Sequence, residues 1–166
     1  MTWLVLTSLC VLVGGLVLMS RGGVPESVSG LVYNLSERMR WLWSAWLVAV
    51  AMTVMVPLMT ALDDAAWLGW LTVVGLVGAA VTPICNGDTH LLHDVFGVSA
   101  GVLSQVCVAV LCPWWLLVWA LWLPLLAGAM AALNDAKDPP CLFGGHGVLA
   151  AELTCAVTLY GSLIFN

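Results

Sequence analysis

Six stretches of about twenty residues, apolar on every side, decide what this chain can become: 3–20, 41–62, 65–83, 91–112, 114–133 and 147–165. Hydrocarbon about 30 Å thick is crossed by about 20 consecutive apolar residues of helix. Each run is bounded by charge, Pro or Gly. Strands of membrane barrels alternate apolar and polar positions, and these runs do not. The predicted fold is therefore all-α, a single domain built as an integral membrane bundle of six transmembrane helices. Composition agrees. Hydrophobic residues make up 63% of the 166 and charged residues 8%, against about 45–50% and about 25% in soluble domains. So few charges cannot screen so much apolar surface from water.

The first run lacks a basic segment before it and a small-x-small cleavage pattern after it, so it is read as a retained span rather than a signal peptide. Four basic residues orient the bundle. Arg21, Arg38 and Arg40 lie between spans one and two, and Lys137 between spans five and six. With six spans these loops share a side, and basic loops stay in the cytoplasm. The expected location is a bacterial inner membrane, multi-pass, with both termini outside the cytoplasm. Trp67, Trp70, Trp114 and Trp115 then suit an outer aromatic belt, and Trp41 and Trp43 an inner one. Four scattered basic residues offer no patch for a nucleic-acid backbone, so no nucleic-acid partner is expected; the expected partner is membrane lipid. Gly75, Gly78, Gly97, Gly101 and Gly128 permit close helix contacts within one chain or in a homo-oligomer equally well. The six cysteines show no paired spacing, and a structural disulfide is not expected.

Between the first two spans, "VPESVSGLVYNLSERMR" carries Val28, Leu31, Val32 and Leu35 at i, i+3, i+4 and i+7, one face of a helix. Pro25 suits a first turn, Glu26 lies near the positive end of the helix dipole, and Arg38 and Arg40 lie near the negative end. The spacing predicts a short amphipathic helix over about 25–38 on the cytoplasmic surface.

The remaining ionisable groups gather on that same side. "NGDTHLLHD" at 86–94 is the turn into span four, where Asp88 and His90 meet water. His93 shares a face with Gly97 and Gly101, a GxxxG pattern for close helix approach, and is expected to look into the bundle. Asp94 stands beside it, as a partner either of the site or of the helix dipole. Glu152 falls five residues into span six, roughly 7–8 Å along the helix. A carboxyl at that depth pairs, lines a cavity or takes up a proton. Candidate ion or proton site residues are Glu152, His93, Asp94, Arg40 and Tyr33; the structural alternative is a pair of Glu152 with Arg40, Tyr33 or His93 that locks helix packing. Ser104 and Gln105 either extend a polar track or bond between helices. His90, His93, His146 and Glu152 are the weaker candidates for a metal such as zinc, since HExxH and CxxC are both absent. No other cofactor is expected. Catalytic residues are not indicated either: there is no GxSxG, no phosphate loop, and no lysine within a span.

Several short motifs together resemble a known group. "GVPESVSGLVYNLSE" at 23–37, the span ending in "VPLMTAL", "LTVVGLVGAAVTP", "HDVFGVSAGVLSQVC" and an early Glu in the last span are similar to uncharacterised small polytopic membrane proteins of gut Bacteroidetes and their phages or prophages. The likeness covers about residues 22–160. Asn34 follows Tyr33 where that group often has a second Tyr, and Asp94 stands where it has an aromatic residue. The resemblance implies architecture and no activity. Two functions are carried forward: a small transporter- or channel-like bundle with a cytoplasmic-side polar site, and a phage- or prophage-associated structural or interaction protein that modifies the host envelope. A metal-dependent membrane hydrolase is a third, weaker expectation.

Overall fold

The structure, a computed structural model, describes residues 2–22, 27–82, 90–121 and 147–166. Every regular element among them is helical. Five α-helices run Thr2–Met19 (α1), Trp41–Leu62 (α2), Ala66–Val81 (α3), His90–Leu111 (α4) and Gly147–Phe165 (α5). Among the described residues, four helical stretches are long and apolar enough to cross a membrane: α1, the stretch Glu37–Val81 that contains α2 and α3, α4, and α5.

That long stretch is a hairpin. Asp63 takes a positive φ of 48° with ψ −113°, outside the left-handed helical well and in a region that side chains rarely adopt. The chain reverses there through a 3₁₀ turn at Asp63–Ala65. Two apolar clusters mark the two ends of the bundle. At one end Val54, Leu58 and Leu62 of α2 pack with Leu68 of α3, Val5 of α1, Cys107 and Val108 of α4, and Leu159 and Leu163 of α5. At the other, Trp43 and Leu47 of α2 pack with Ala79 and Ala80 of α3 and Met19 of α1. Alpha helices α2 and α3 are thus antiparallel. Helices α4 and α5 both begin at the Trp43 end, with His93 and Glu152, and both run toward the Asp63 end.

Small residues set the closest contact. A Cβ on Gly75 would lie 3.0 Å from Ala100 Cβ and 3.1 Å from Ala100 backbone atoms, so α3 and α4 meet almost backbone to backbone. Gly78 makes room for the Phe96 ring in the same seam, at 2.5 Å. Of the two glycines expected to form a close-approach face on α4, Gly101 has Cys155 Sγ at 3.8 Å and Gly97 faces open space. Large apolar side chains elsewhere point outward, among them Val17, Met52, Val74, Val98, Val102 and Val157. Water would penalise each at about 25 cal/mol per Å² of apolar surface; hydrocarbon imposes no such penalty.

Three sequence expectations take a different local form. The amphipathic segment is not an α-helix over 27–39 but two 3₁₀ turns, Ser29–Asn34 and Glu37–Met39. Its apolar residues turn inward: Leu31 and Val32 are buried, with Val28 and Leu35 packed beside them against the Trp43 cluster. The bundle end, not lipid, covers that face. Pro25 and Glu26 lie outside the described residues. The helix expected at 114–133 is described only at its start, where Pro113–Leu121 is 3₁₀. Trp43, expected in a belt, is 1% exposed, whereas Trp41 two residues earlier is 65% exposed.

Candidate functional site

The tripeptide Ser27-Val28-Ser29 docks where α2, α3, α4 and α5 converge, held by both serine hydroxyls and by the Val28 backbone. Ser27 Oγ accepts from the Gly30 N–H at 2.9 Å, closing the first turn as a serine does at a helix start. The Val28 N–H donates to Glu152 Oε2 on α5 at 2.5 Å. The Val28 carbonyl accepts from Trp43 Nε1 on α2 at 3.1 Å. Ser29 Oγ bonds His93 Nε2 on α4 at 2.7 Å. A backbone strap of three residues thereby ties together helices that lie far apart in sequence.

His93 is 4% exposed. Its Nδ1 lies 3.0 Å from the Ala79 carbonyl of α3. A carbonyl only accepts, so Nδ1 carries the proton, and in the neutral ring Nε2 accepts from the Ser29 hydroxyl. The ring packs against Trp43 with centroids 5.8 Å apart. Both nitrogens are therefore engaged within the protein.

Other sequence-derived candidates are dispersed around this centre. Glu152 makes no ion pair with Arg40; its partner among the described residues is the strap's backbone. The expected pairing with Arg40, Tyr33 or His93 is thus replaced by a backbone donor that comes within reach when the strap docks. Arg40 sits at the start of α2 with Nε buried and, among the described residues, without a hydrogen-bond partner. Tyr33 is 58% exposed. Asp94 is paired outward with His90, Oδ2 to Nδ1 at 3.1 Å, one helical turn apart and half exposed. An exposed pair of this kind contributes under about 1 kcal/mol. His146 lies outside the described residues, and among those described no three His, Cys, Asp or Glu side chains are grouped to hold a metal ion.

Behind the strap, the helices border a half-open cavity of about 650 Å³, with the exposed Val98 and Val102 of α4 at its edge. Glu152, His93 and Asp94 line its strap end, with Ser27 and Ser29. Its wall on α5 runs from Val148 to Tyr160, roughly 18 Å of helix. Most of the lining is apolar, including Leu16, Leu47, Val50 and Leu76.

Two polar knots lie farther along. Gln105 Oε1 accepts from Trp119 Nε1 at 2.8 Å and from Thr158 Oγ1 at 2.9 Å, while its Nε2 donates to Ser104 Oγ at 3.0 Å. Tyr160 OH and Ser8 Oγ are 2.6 Å apart, and Thr53 Oγ1 donates to Ser8 at 3.0 Å. Without water, a polar side chain must find its partner inside the bundle, and these do. Ser104 and Gln105 bond across helices and also face the cavity.

Sequence reasoning overlooked Ser27, Val28 and Ser29. Paired serines flanking a hydrophobe were a weak available signal; a backbone N–H carries none. No family matches the chain, and no curated protein and no solved structure matches it.

Proposed function

We propose that the chain crosses a bacterial inner membrane six times and works as a small transporter- or channel-like bundle whose polar site lies at the cytoplasmic rim. The observation that carries this reading is the cavity inside the bundle, with Glu152 and His93 at one end. An ionisable group within a membrane segment is costly and marks a solute or proton pathway unless it serves packing alone. Glu152 touches both the packing strap and the cavity.

The path of the chain supports six crossings. It leaves α4 at the Asp63 end, where Cys112 N–H donates to Val108 O, and enters α5 at the strap end. Trp119, eight residues past the end of α4, bonds back to Gln105 on α4, as a chain turning back along the bundle would. Arg21, Arg38 and Arg40 adjoin the strap end, which supports a cytoplasmic placement of that end by the positive-inside rule.

Proton flux into liposomes tests the function. Reconstituted protein with a trapped pH-sensitive dye is expected to dissipate an imposed pH gradient faster than protein-free vesicles. Glu152→Gln is expected to abolish the excess. A wild-type rate equal to that of empty vesicles contradicts the proposal.

A further inference from the structure

The charges around the cavity point to the class of molecule it takes. Two carboxyl groups line it, Glu152 and Asp94, and no Lys or Arg is among the described lining residues. Asp94 already has His90 as partner. Glu152, by contrast, has a single neutral backbone donor as its partner among the described residues. One hydrogen bond leaves a carboxylate's charge largely uncompensated in a low-dielectric setting, where an opposite charge is worth far more than in water. A bound cation supplies that compensation.

Most of the remaining wall is apolar or aromatic, with Ser104 and Gln105 among its polar groups. Trp46 and Trp119 line the space, and each indole N–H is tied to the protein: to Val11 O at 2.9 Å and to Gln105 Oε1. Anchored indoles offer a fixed surface on which a cation or an apolar ring can rest. Small-molecule sites are concave, mostly apolar and about 300–1,000 Å³, with a few placed polar groups. This cavity has that form, at about 650 Å³. An inorganic ion would leave most of it unfilled.

We infer that the cavity binds a lipophilic cation, an amine or onium compound with an apolar body, whose positive charge lies against Glu152 and whose body fills the space lined by Leu47, Val50, Leu76 and Trp119. The inference rests on the transporter-like reading and specifies its substrate class. Neutralised by Glu152, such a molecule meets the apolar wall as any hydrocarbon would. An anion of equal size meets two carboxyl groups and, among the described lining residues, no Lys or Arg.

The test uses tetraphenylphosphonium as probe and tetraphenylborate, nearly the same shape with opposite charge, as control. Equilibrium dialysis of the full chain in a neutral detergent is expected to give saturable binding of the cation at one site per chain, not displaced by the anion. Glu152→Gln is expected to weaken binding at least tenfold. Gly97→Leu keeps the carboxyl and fills the cavity from α4, where a Cβ meets nothing within 4 Å; it is expected to weaken binding at least tenfold as well, and serves if Glu152→Gln does not fold. Absence of saturable cation binding in a protein that still carries protons overturns the substrate class and leaves the transporter-like reading intact. So does equal binding of the anion, or unchanged binding in both variants. Absence of both binding and flux overturns the two together.

Discussion

If Ser29 holds the strap to His93, then removing either partner should lower the cost of removing the other. Ser29 Oγ and His93 Nε2 are 2.7 Å apart, and the ring's other nitrogen is held by Ala79 O. Ser29→Ala removes one hydrogen bond and leaves a ring nitrogen in the interior without a donor, a cost of about 1–2 kcal/mol. His93→Ala removes both ring bonds, about 1 kcal/mol each, and the packing against Trp43, for a total of about 3 kcal/mol. The shared bond is counted in both single variants. The double variant should therefore fall short of the sum by about 1 kcal/mol, a factor of about five in the unfolding equilibrium. The assay is reversible unfolding in mixed micelles with increasing dodecyl sulfate, followed by tryptophan fluorescence; Trp43 touches the ring under test. Additivity within about 0.3 kcal/mol would show that the two residues do not act together and would refute the docked-strap geometry.

Two other perturbations separate contact from mere sequence pattern. Gly75→Leu drives a side chain into the backbone of Ala100 and should destabilise the bundle by about 1–3 kcal/mol in the same assay; Gly14→Ala, where a Cβ meets nothing within 4 Å, should be neutral or stabilising by up to about 1 kcal/mol. Gln105→Leu removes the acceptor that Trp119 Nε1 and Thr158 Oγ1 share and should cost about 1–2 kcal/mol, detectable as a red shift in tryptophan emission on mild dodecyl sulfate addition.

The helices were legible where lipid alone dictates the pattern. Apolar runs at 41–62 and 147–165 coincide with α2 and α5, because a buried backbone in hydrocarbon must satisfy itself and an unbroken apolar run leaves helix as the solution. His93 stood out as the titratable residue on a face of small residues. The partner of Glu152 was hidden, since its donor is a main-chain N–H that any residue could supply. Trp41 and Trp43 look alike in sequence; one is exposed and the other sealed because only Trp43 reaches the Val28 carbonyl. The helical form of the strap was equally hidden: spacings of three residues suit an α-helix and a 3₁₀-helix alike. Its inward-facing Leu31 and Val32 could as well have met lipid, and only the assembled bundle end decides between the two.

The account depends most on the strap, α4 and α5 entering the bundle from one cytoplasmic face. Single cysteines at Arg38, at Lys137 and at Asp63, each in a background with the native cysteines replaced by serine or alanine, should be probed in intact cells with a membrane-impermeant maleimide. Asp63→Cys is expected to react from outside, while Arg38→Cys and Lys137→Cys react only after the membrane is opened. Labelling of Arg38→Cys and Lys137→Cys from opposite sides would contradict it.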